Sequence, residues 1–142
     1  MQCEFPSVNS NKEEIKKIFD NTKTIAIIGL SPDVSKASNM VAKYLKNAGF
    51  QIVPVYPKGD EILGEKVYRS LAEIPFKIDM VDIFRKPDVI GMVIDAAIKR
   101  GDVDCVWTQL GLVNNEAAAR AVEAGMKVVQ NHCTKIEHAQ LI

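Results

Sequence analysis

Three basic side chains follow strand-like runs of this sequence, at positions where a phosphate group could bind. Lys58 comes shortly after the apolar run Gln51–Val55 (QIVPV), and Arg85 and Lys86 come directly after residues 78–84 (IDMVDIF). Because the carboxyl ends of parallel strands meet at one edge of a sheet, we expect these cations to lie close together there. A solvated loop charge is the alternative for any one of them, but their shared placement favours a site for an anionic ligand.

The residues after the second predicted strand distinguish between nucleotide cofactors. A domain that binds NAD usually carries an aspartate or glutamate there, and its carboxylate holds the ribose hydroxyls. Here the chain has Val55, Tyr56, Pro57 and Lys58, so the carboxylate is missing and a cation stands nearby. A nucleotide with an extra ribose phosphate, such as coenzyme A or NADP, suits this charge better than NAD does.

Gly29 ends the first strand-like run, residues 24–29 (TIAIIG), where the chain must turn into a helix. Glycine permits a sharp turn and a close approach of the backbone to a ligand. The following helix would present free backbone N–H groups to a phosphate, and Ser31, Ser35 and Ser38 would add hydroxyl donors. The full G-x-G-x-x-G pattern of dinucleotide-binding loops is absent, so a tight turn without a ligand is an equally good interpretation.

His132 and Cys133 adjoin each other after the last predicted strand, but we do not expect them to form a catalytic pair. Neighbouring side chains in an extended chain point to opposite sides. A helix beginning after Cys133 would favour its thiolate, whereas a part-buried, unreactive thiol is the alternative. Cys105 and Trp107 lie inside an apolar run, so we predict that both belong to the core.

Four aspartates have the chemistry of metal or phosphoryl-transfer ligands. Most of them precede a predicted strand or lie early in one, which places them toward the edge of the sheet opposite the expected site. We therefore interpret them as solvated caps and strand edges, and we predict no metal site. They are Asp79, Asp82, Asp102 and Asp104.

The elements that must position these residues are apolar runs that alternate with helical patterns. Gly49, Gly101 and Gly125 end the predicted helices, each one to three residues before a strand. The pattern predicts an α/β fold, Rossmann-like and doubly wound, with a mainly parallel five-stranded sheet and helices on both faces. The predicted strands are residues 24–29, 51–55, 78–84, 104–108 and 126–130.

Two segments have the form of a capping box, in which a Ser or Thr caps a helix and a Glu three positions later reaches back. Ser10 with Glu13 predicts the start of a leading helix, and Thr134 with Glu137 predicts the start of a short terminal helix. Residues 56–77 between the second and third strands are the least regular part of the chain.

Length, composition and charge exclude several classes of protein. The 142 residues predict a single domain, in which residues 1–9 form an extended tail. Eighteen basic and eighteen acidic residues cancel, which argues against binding to nucleic acid. We expect neither a membrane span, which needs roughly 18 consecutive apolar residues, nor a secretory signal. Three widely spaced cysteines predict neither a disulfide framework nor a zinc site, and they favour a cytoplasmic location.

Six segments of the chain carry a family resemblance. They are residues 25–31 (IAIIGLS), 41–45 (VAKYL), 62–68 (ILGEKVY), 81–85 (VDIFR), 107–111 (WTQLG) and 133–138 (CTKIEH). Together they resemble the stand-alone CoA-binding proteins, which are similar to the N-terminal CoA-binding domain of the succinyl-CoA synthetase alpha subunit. The combination is specific, although no single segment is.

The resemblance implies a coenzyme A pocket along the strand ends. It implies that the pyrophosphate region contacts Gly29, Leu30, Ser31, Lys36 and Ser38. The adenosine would lie beside Val55, Tyr56 and Pro57, and it would be covered by Phe84, Arg85 and Lys86. The pantetheine arm would pass Gln109, Leu110 and Gly111, and the thiol at its end would lie near Asn131 and Cys133. The extra ribose phosphate would meet the three cations that follow the strands.

The resemblance also limits the expected activity. The synthetase reaction uses a phosphorylated histidine in a second domain and a separate nucleotide-binding subunit, and we expect neither here. The sequence therefore predicts a non-catalytic module for coenzyme A or acyl-CoA, acting as a carrier, sensor or regulator with an unidentified protein partner. An enzyme that uses NADP or a CoA thioester through unidentified residues is the alternative. A third hypothesis is that Cys133 forms a mixed disulfide with coenzyme A under oxidation.

Overall fold

A five-stranded parallel sheet forms the centre of the computed structural model, which describes residues 5–141. The strands in chain order are β1 (Thr24–Ile28), β2 (Gln51–Val55), β3 (Glu61–Ile62), β4 (Glu65–Lys66), β5 (Met80–Ile83), β6 (Cys105–Thr108) and β7 (Lys127–Val129). The main sheet has the order β2-β1-β5-β6-β7, and every neighbouring pair in it is parallel. The five strands predicted from the sequence are confirmed, and the short β3–β4 hairpin is an addition to them.

Helices cover both faces of this sheet, as predicted for a doubly wound fold. They are α1 (Lys12–Asp20), α2 (Ala37–Asn47), α3 (Pro87–Arg100), α4 (Asn115–Glu123) and α5 (Thr134–Leu141). Helices α1, α2 and α5 pack together on one face, and α3 and α4 pack together on the other. Within residues 5–141, no helix combines the length and the apolar character that a membrane crossing requires.

Strand β1 shows why the central runs of the sequence are apolar throughout. Ile25 and Ile27 pack on the face covered by α1 and α2, whereas Ala26 and Ile28 pack on the face covered by α3. Strands that are buried on both faces have no solvated side, so the hydrophobic pattern is continuous instead of alternating. Cys105 and Trp107 of β6 are buried in the same way, which confirms their predicted place in the core.

The first helix begins one residue later than the predicted capping box. Asn11 is the N-cap, since its side-chain oxygen accepts the Glu14 N–H at 2.9 Å and the Glu14 carboxylate accepts the Asn11 N–H at 2.9 Å. The predicted pair, Ser10 with Glu13, is therefore wrong. The Ser10 hydroxyl donates instead to the carbonyl of Val128 at 2.7 Å.

The described part of the predicted tail lies against the last strand. The Asn9 side chain donates to the Gln130 carbonyl at 3.0 Å and accepts the Gln130 N–H at 2.9 Å, as a neighbouring strand would do. These bonds occupy the edge of the sheet just after β7. The first four residues, with the cysteine at position 3, lie outside the described residues.

The order of the strands fixes where a ligand can bind. The chain passes from β1 to β2 on one side of β1 and returns to β5 on the other side, so the winding reverses between β1 and β5. In open α/β sheets the crevice at such a switch point lies outside the carboxyl ends of the strands. Gly29 follows β1 at this point, and Phe84, Arg85 and Lys86 follow β5.

Candidate functional site

A groove runs along the carboxyl edge of the sheet, across the switch point. It consists of three adjoining cavities of about 250, 650 and 370 Å³, which extend from Pro57 beside β2 to Cys133 after β7. Neighbouring cavities share lining residues, and Arg85 lines all three of them. The edge selected by the strand-end rule is therefore continuous and long enough for an extended ligand.

Gly29 allows the ends of β1 and β5 to meet in the middle of this groove. Its backbone has φ +83, and a Cβ atom there would lie 2.9 Å from both the Phe84 carbonyl oxygen and the Arg85 Cδ. The Gly29 N–H donates to Val55 O at 2.9 Å, and the Phe84 N–H donates to Ile28 O at 2.9 Å. A side chain at position 29 would therefore clash with the Phe84 backbone, which is hydrogen-bonded to β1, and would displace the Arg85 side chain.

The loop that leads from Gly29 into α2 is held by its own side chains. The Ser31 N–H donates to the Ser38 hydroxyl oxygen at 3.0 Å, and Asn39 donates to the Ser31 carbonyl at 2.9 Å. The Ser35 hydroxyl donates to Asp33 at 2.7 Å, which lowers the pKa of that carboxyl. Ser31 and Ser38 line the central cavity, so they face the groove while they hold the loop.

Basic side chains concentrate at the centre of the groove. Lys36, Arg85 and Lys86 line the largest cavity, together with the carboxylate of Asp88. In the part of the chain that the structure describes, none of these three cations forms an ion pair with a carboxylate, although the charge of Lys36 contributes to lowering the pKa of Asp33. Lysine and arginine side chains without a carboxylate partner are suited to hold the phosphate groups of a ligand.

The cation at the β2 end of the groove is not the one that the sequence selected. Lys58 is exposed and lines none of the three cavities. Arg69 lines the cavity next to Tyr56, and its guanidinium donates to the Tyr56 carbonyl at 3.1 Å. Sequence reasoning missed Arg69 because it lies in the irregular segment 56–77, where no strand end marks it.

The opposite end of the groove is mainly apolar. Phe84, Leu110 and Val41 line the third cavity, and the thiol-bearing residue Cys133 closes it. Leu110 is 61% exposed, so its apolar side chain is accessible to a ligand. This end can cover a long, weakly polar part of a ligand.

Besides Lys58, three predicted site residues do not line the groove. The side chain of Leu30 is fully buried in the core. The Gly111 N–H donates to the side-chain oxygen of Asn131 at 2.7 Å, and Asn131 adopts φ +61 to accept it. Because neither Gly111 nor Asn131 lines a cavity, this pair braces the loops after β6 and β7.

His132 and Cys133 face different partners. The His132 ring lies 3.8 Å from the Glu137 carboxylate, and the His132 carbonyl accepts the Trp107 indole N–H at 2.8 Å. The second histidine, His138, pairs with the Tyr44 hydroxyl at 2.9 Å. Within residues 5–141, no hydrogen bond or ion pair joins the Cys133 thiol to a histidine or carboxylate.

A buried polar cluster lies directly beneath the apolar end of the groove. Asp82 of β5 is fully buried, so its interpretation as a solvated aspartate is wrong. Its carboxylate accepts hydrogen bonds from the Gln109 side-chain amide and from the Thr134 hydroxyl, the latter at 3.0 Å. Burial raises the pKa of Asp82 to about 7, although both hydrogen bonds oppose the shift.

Thr134 was predicted to cap the terminal helix, and this prediction is wrong. Thr134 is the first residue of α5, and its side chain points into the core. Its hydroxyl oxygen accepts a hydrogen bond from Gln109 at 3.1 Å while the hydroxyl donates to Asp82. The other three aspartates lie near the amino ends of the strands and are less buried than Asp82. Each of them forms an ion pair with a lysine or an arginine, whereas Asp82 forms none among the described residues; they are Asp79, Asp102 and Asp104.

A further cavity of about 560 Å³ lies at the opposite edge of the sheet. Glu14, Lys17, Asp104 and Lys127 line it, so its charges are mixed in sign. None of the predicted site residues lies there, and it faces the amino ends of the strands. The groove at the carboxyl edge is therefore the better candidate for a ligand site.

A doubly wound parallel sheet with a basic groove at its switch point defines a Rossmann-like α/β domain. The sequence pattern of the CoA binding domain family matches residues 23–139. The chain belongs to this family, which confirms the resemblance drawn from its sequence segments.

Relatives of similar length share the whole fold. The chain is 40% identical over 131 residues to the uncharacterized protein YneT of Bacillus subtilis, a match that covers 92% of this chain and 96% of the relative. The structure of a hypothetical protein from Pyrococcus horikoshii matches with a TM-score of 0.90 and 40% identity, over 99% of both chains. Both proteins are small and consist of little besides this domain.

A larger relative is an enzyme. The chain is 34% identical over 85 residues to the ADP-forming acetate–CoA ligase of Methanocaldococcus jannaschii. That match covers 60% of this chain but only 12% of the ligase. The similarity is thus confined to a small part of that enzyme.

Proposed function

We propose that this chain binds coenzyme A, or an acyl-CoA, along the groove and performs no complete reaction by itself. The observation that carries the proposal is the order of chemical groups along the groove. Cations that form no ion pair among the described residues lie at its centre, beside the carboxylate of Asp88, and an apolar cavity with a cysteine lies at its end. Coenzyme A has a matching order of phosphates, a long weakly polar arm and a thiol.

The proposed orientation follows from the lining residues. The adenosine lies against Tyr56 and Pro57, with Arg69 and Arg85 available for its ribose phosphate. The pyrophosphate lies beside Gly29, where Ser31, Lys36 and Arg85 also line the cavity. The pantetheine arm then passes Phe84 and Leu110, which brings the thiol or acyl group toward Cys133.

The side chains of the groove support binding more than catalysis. Cys133 brings a thiol to the groove, and cysteine catalysis usually needs a neighbouring base. Among the described residues its thiol has no such partner, since the His132 ring faces Glu137. A carrier, sensor or regulator of coenzyme A in the cytoplasm fits this arrangement, and a protein partner would supply any reaction.

Thermal unfolding with and without ligand tests the proposal. A ligand that binds only the folded state at about 100 times its Kd adds about 2.7 kcal/mol, which corresponds to a rise in Tm of roughly 5 to 10 °C for this length. We expect coenzyme A and acetyl-CoA to give such a rise, and acetyl-CoA to be recovered unchanged afterwards. No rise with either ligand would contradict binding, and turnover of acetyl-CoA would contradict the non-catalytic role.

A further inference from the structure

The side-chain amide of Gln109 has one fixed orientation. Its nitrogen donates one hydrogen to the Asp82 carboxylate and the other to the Thr134 hydroxyl oxygen. Both partners are fully buried, and Gln109 itself is 5% exposed. Above pH 7, where Asp82 is a carboxylate, a flipped amide would place its carbonyl oxygen against a carboxylate oxygen, so the amide nitrogen is held toward the core.

The carbonyl oxygen of the same amide can therefore accept a hydrogen bond from a ligand in the groove. Within residues 5–141, no hydrogen bond uses this oxygen. Every fully buried side-chain oxygen among these residues has a hydrogen-bond partner, so the Gln109 oxygen must be accessible from outside the core. Gln109 also lines the apolar cavity, beside Leu110 and Cys133. The oxygen is therefore a hydrogen-bond acceptor on a mainly apolar wall, to which the cations Arg85 and Lys86 also contribute.

We propose that Gln109 is a specificity-determining residue, whose side-chain oxygen accepts a hydrogen bond from an amide N–H of the pantetheine arm, and that Asp82 and Thr134 are positioning residues for it. This inference rests on the proposed binding of coenzyme A. The ligand chemistry that it selects is an extended arm with a secondary amide between the phosphates and the thiol. A hydrocarbon arm of equal length would leave the oxygen unpaired, which carries a cost in affinity.

The test compares coenzyme A with adenosine 3′,5′-bisphosphate, which has the ribose phosphate but no pantetheine arm. The variants are Gln109→Met, which keeps the shape and loses the acceptor, and Asp82→Asn, which changes the partner of the amide without touching the groove. Gln130→Met is the control, because Gln130 is equally buried and hydrogen-bonded but lies outside all three cavities. Circular dichroism establishes that each variant is folded, and calorimetry at pH 8, where Asp82 is a carboxylate, measures both affinities.

We expect Gln109→Met and Asp82→Asn to weaken coenzyme A binding by about 3-fold to 10-fold, the usual effect of one hydrogen bond, and to leave the bisphosphate affinity unchanged. Gln130→Met should keep the ratio of the two affinities. An unchanged ratio in both Gln109→Met and Asp82→Asn would overturn the role of Gln109 while the proposed function stands. Wild-type protein that does not bind coenzyme A would overturn both.

Discussion

The carbonyl oxygen of Phe84 lies 2.9 Å from the position that a Cβ atom of residue 29 would occupy. This contact joins the ends of β1 and β5 at the switch point, in the middle of the groove. Gly29 is therefore required for two separate reasons, its positive φ and the close approach of the Phe84 backbone. The two reasons can be separated by experiment, because other glycines have only the first.

Replacement of Gly29 by alanine should destabilise the protein and weaken ligand binding. The backbone conformation alone costs about 1 kcal/mol or more for a residue with a Cβ, and the clash adds to that. Gly101→Ala is the control, since Gly101 has φ +79 but an added Cβ would meet nothing within 4 Å. Urea unfolding should show a larger loss for Gly29→Ala than for Gly101→Ala. Equal losses would show that the contact with Phe84 has no energetic weight.

The buried carboxyl of Asp82 should make stability depend on pH. Its pKa is raised to about 7, above the ordinary aspartate value of 3.8, so the folded state binds the extra proton between these values. Stability from this group is therefore present at low pH and is lost as pH rises through 7. Between pH 5 and pH 8 the loss should amount to roughly 2 to 3 kcal/mol.

Asp82→Asn provides the reference for this pH dependence. Burial lowers the pKa of His138, but His138 is present in both proteins, so its contribution cancels in the difference. The free energy of unfolding of the variant, relative to wild type, should rise from pH 5 to pH 8. Parallel pH profiles would mean that Asp82 stays in one protonation state throughout.

Arg85 should contribute more to binding than Lys58. Arg85 lines all three cavities, whereas Lys58 lines none of them. Loss of a charged hydrogen bond to phosphate weakens binding by roughly 10-fold to 100-fold, so we expect this range for Arg85→Ala with coenzyme A. Lys58→Ala should change the affinity by less than about 2-fold, as for a solvated charge. Equal losses of coenzyme A affinity in the two variants, measured by calorimetry, would show that Lys58 contributes to binding as much as Arg85 does.

The thiols of Cys105 and Cys133 should differ in reactivity. Cys105 is buried and its pKa is raised by burial, whereas Cys133 is half-buried and lines the groove. In a Cys3→Ser background, N-ethylmaleimide should label Cys133 and spare Cys105, as followed by peptide mass spectrometry. Saturating acetyl-CoA, which carries no free thiol, should slow this labelling several-fold. An unchanged rate would remove the basis for a mixed disulfide between Cys133 and coenzyme A.

The arrangement of strands and helices could be predicted because its signals are local. Apolar runs such as β1 are buried on both faces, and helix-ending glycines such as Gly101 adopt the left-handed conformation at the expected place. The strand-end rule then selected the groove and, with it, Gly29 and Arg85. These predictions needed no knowledge of distant contacts.

The errors arose where distant contacts decide between similar local patterns. Ser10 and Asn11 are each followed by a glutamate three positions later, and the Val128 carbonyl takes the Ser10 hydroxyl, which leaves the cap to Asn11. Asp82 is buried because Gln109 and Thr134, 27 and 52 residues further along the chain, complete its hydrogen bonds. Neither partner can be identified from the neighbours of Asp82 in the sequence.

Calorimetric titration with coenzyme A, dephospho-coenzyme A, NADP and NAD tests the central claim most directly. We expect coenzyme A to bind in the micromolar range, about −8 kcal/mol, and dephospho-coenzyme A to bind more weakly because the ribose phosphate is missing. NADP and NAD lack the pantetheine arm that the apolar cavity covers, so both should bind at least about 10-fold more weakly than coenzyme A. Binding of NADP without binding of coenzyme A would contradict the account and would favour an NADP-dependent enzyme.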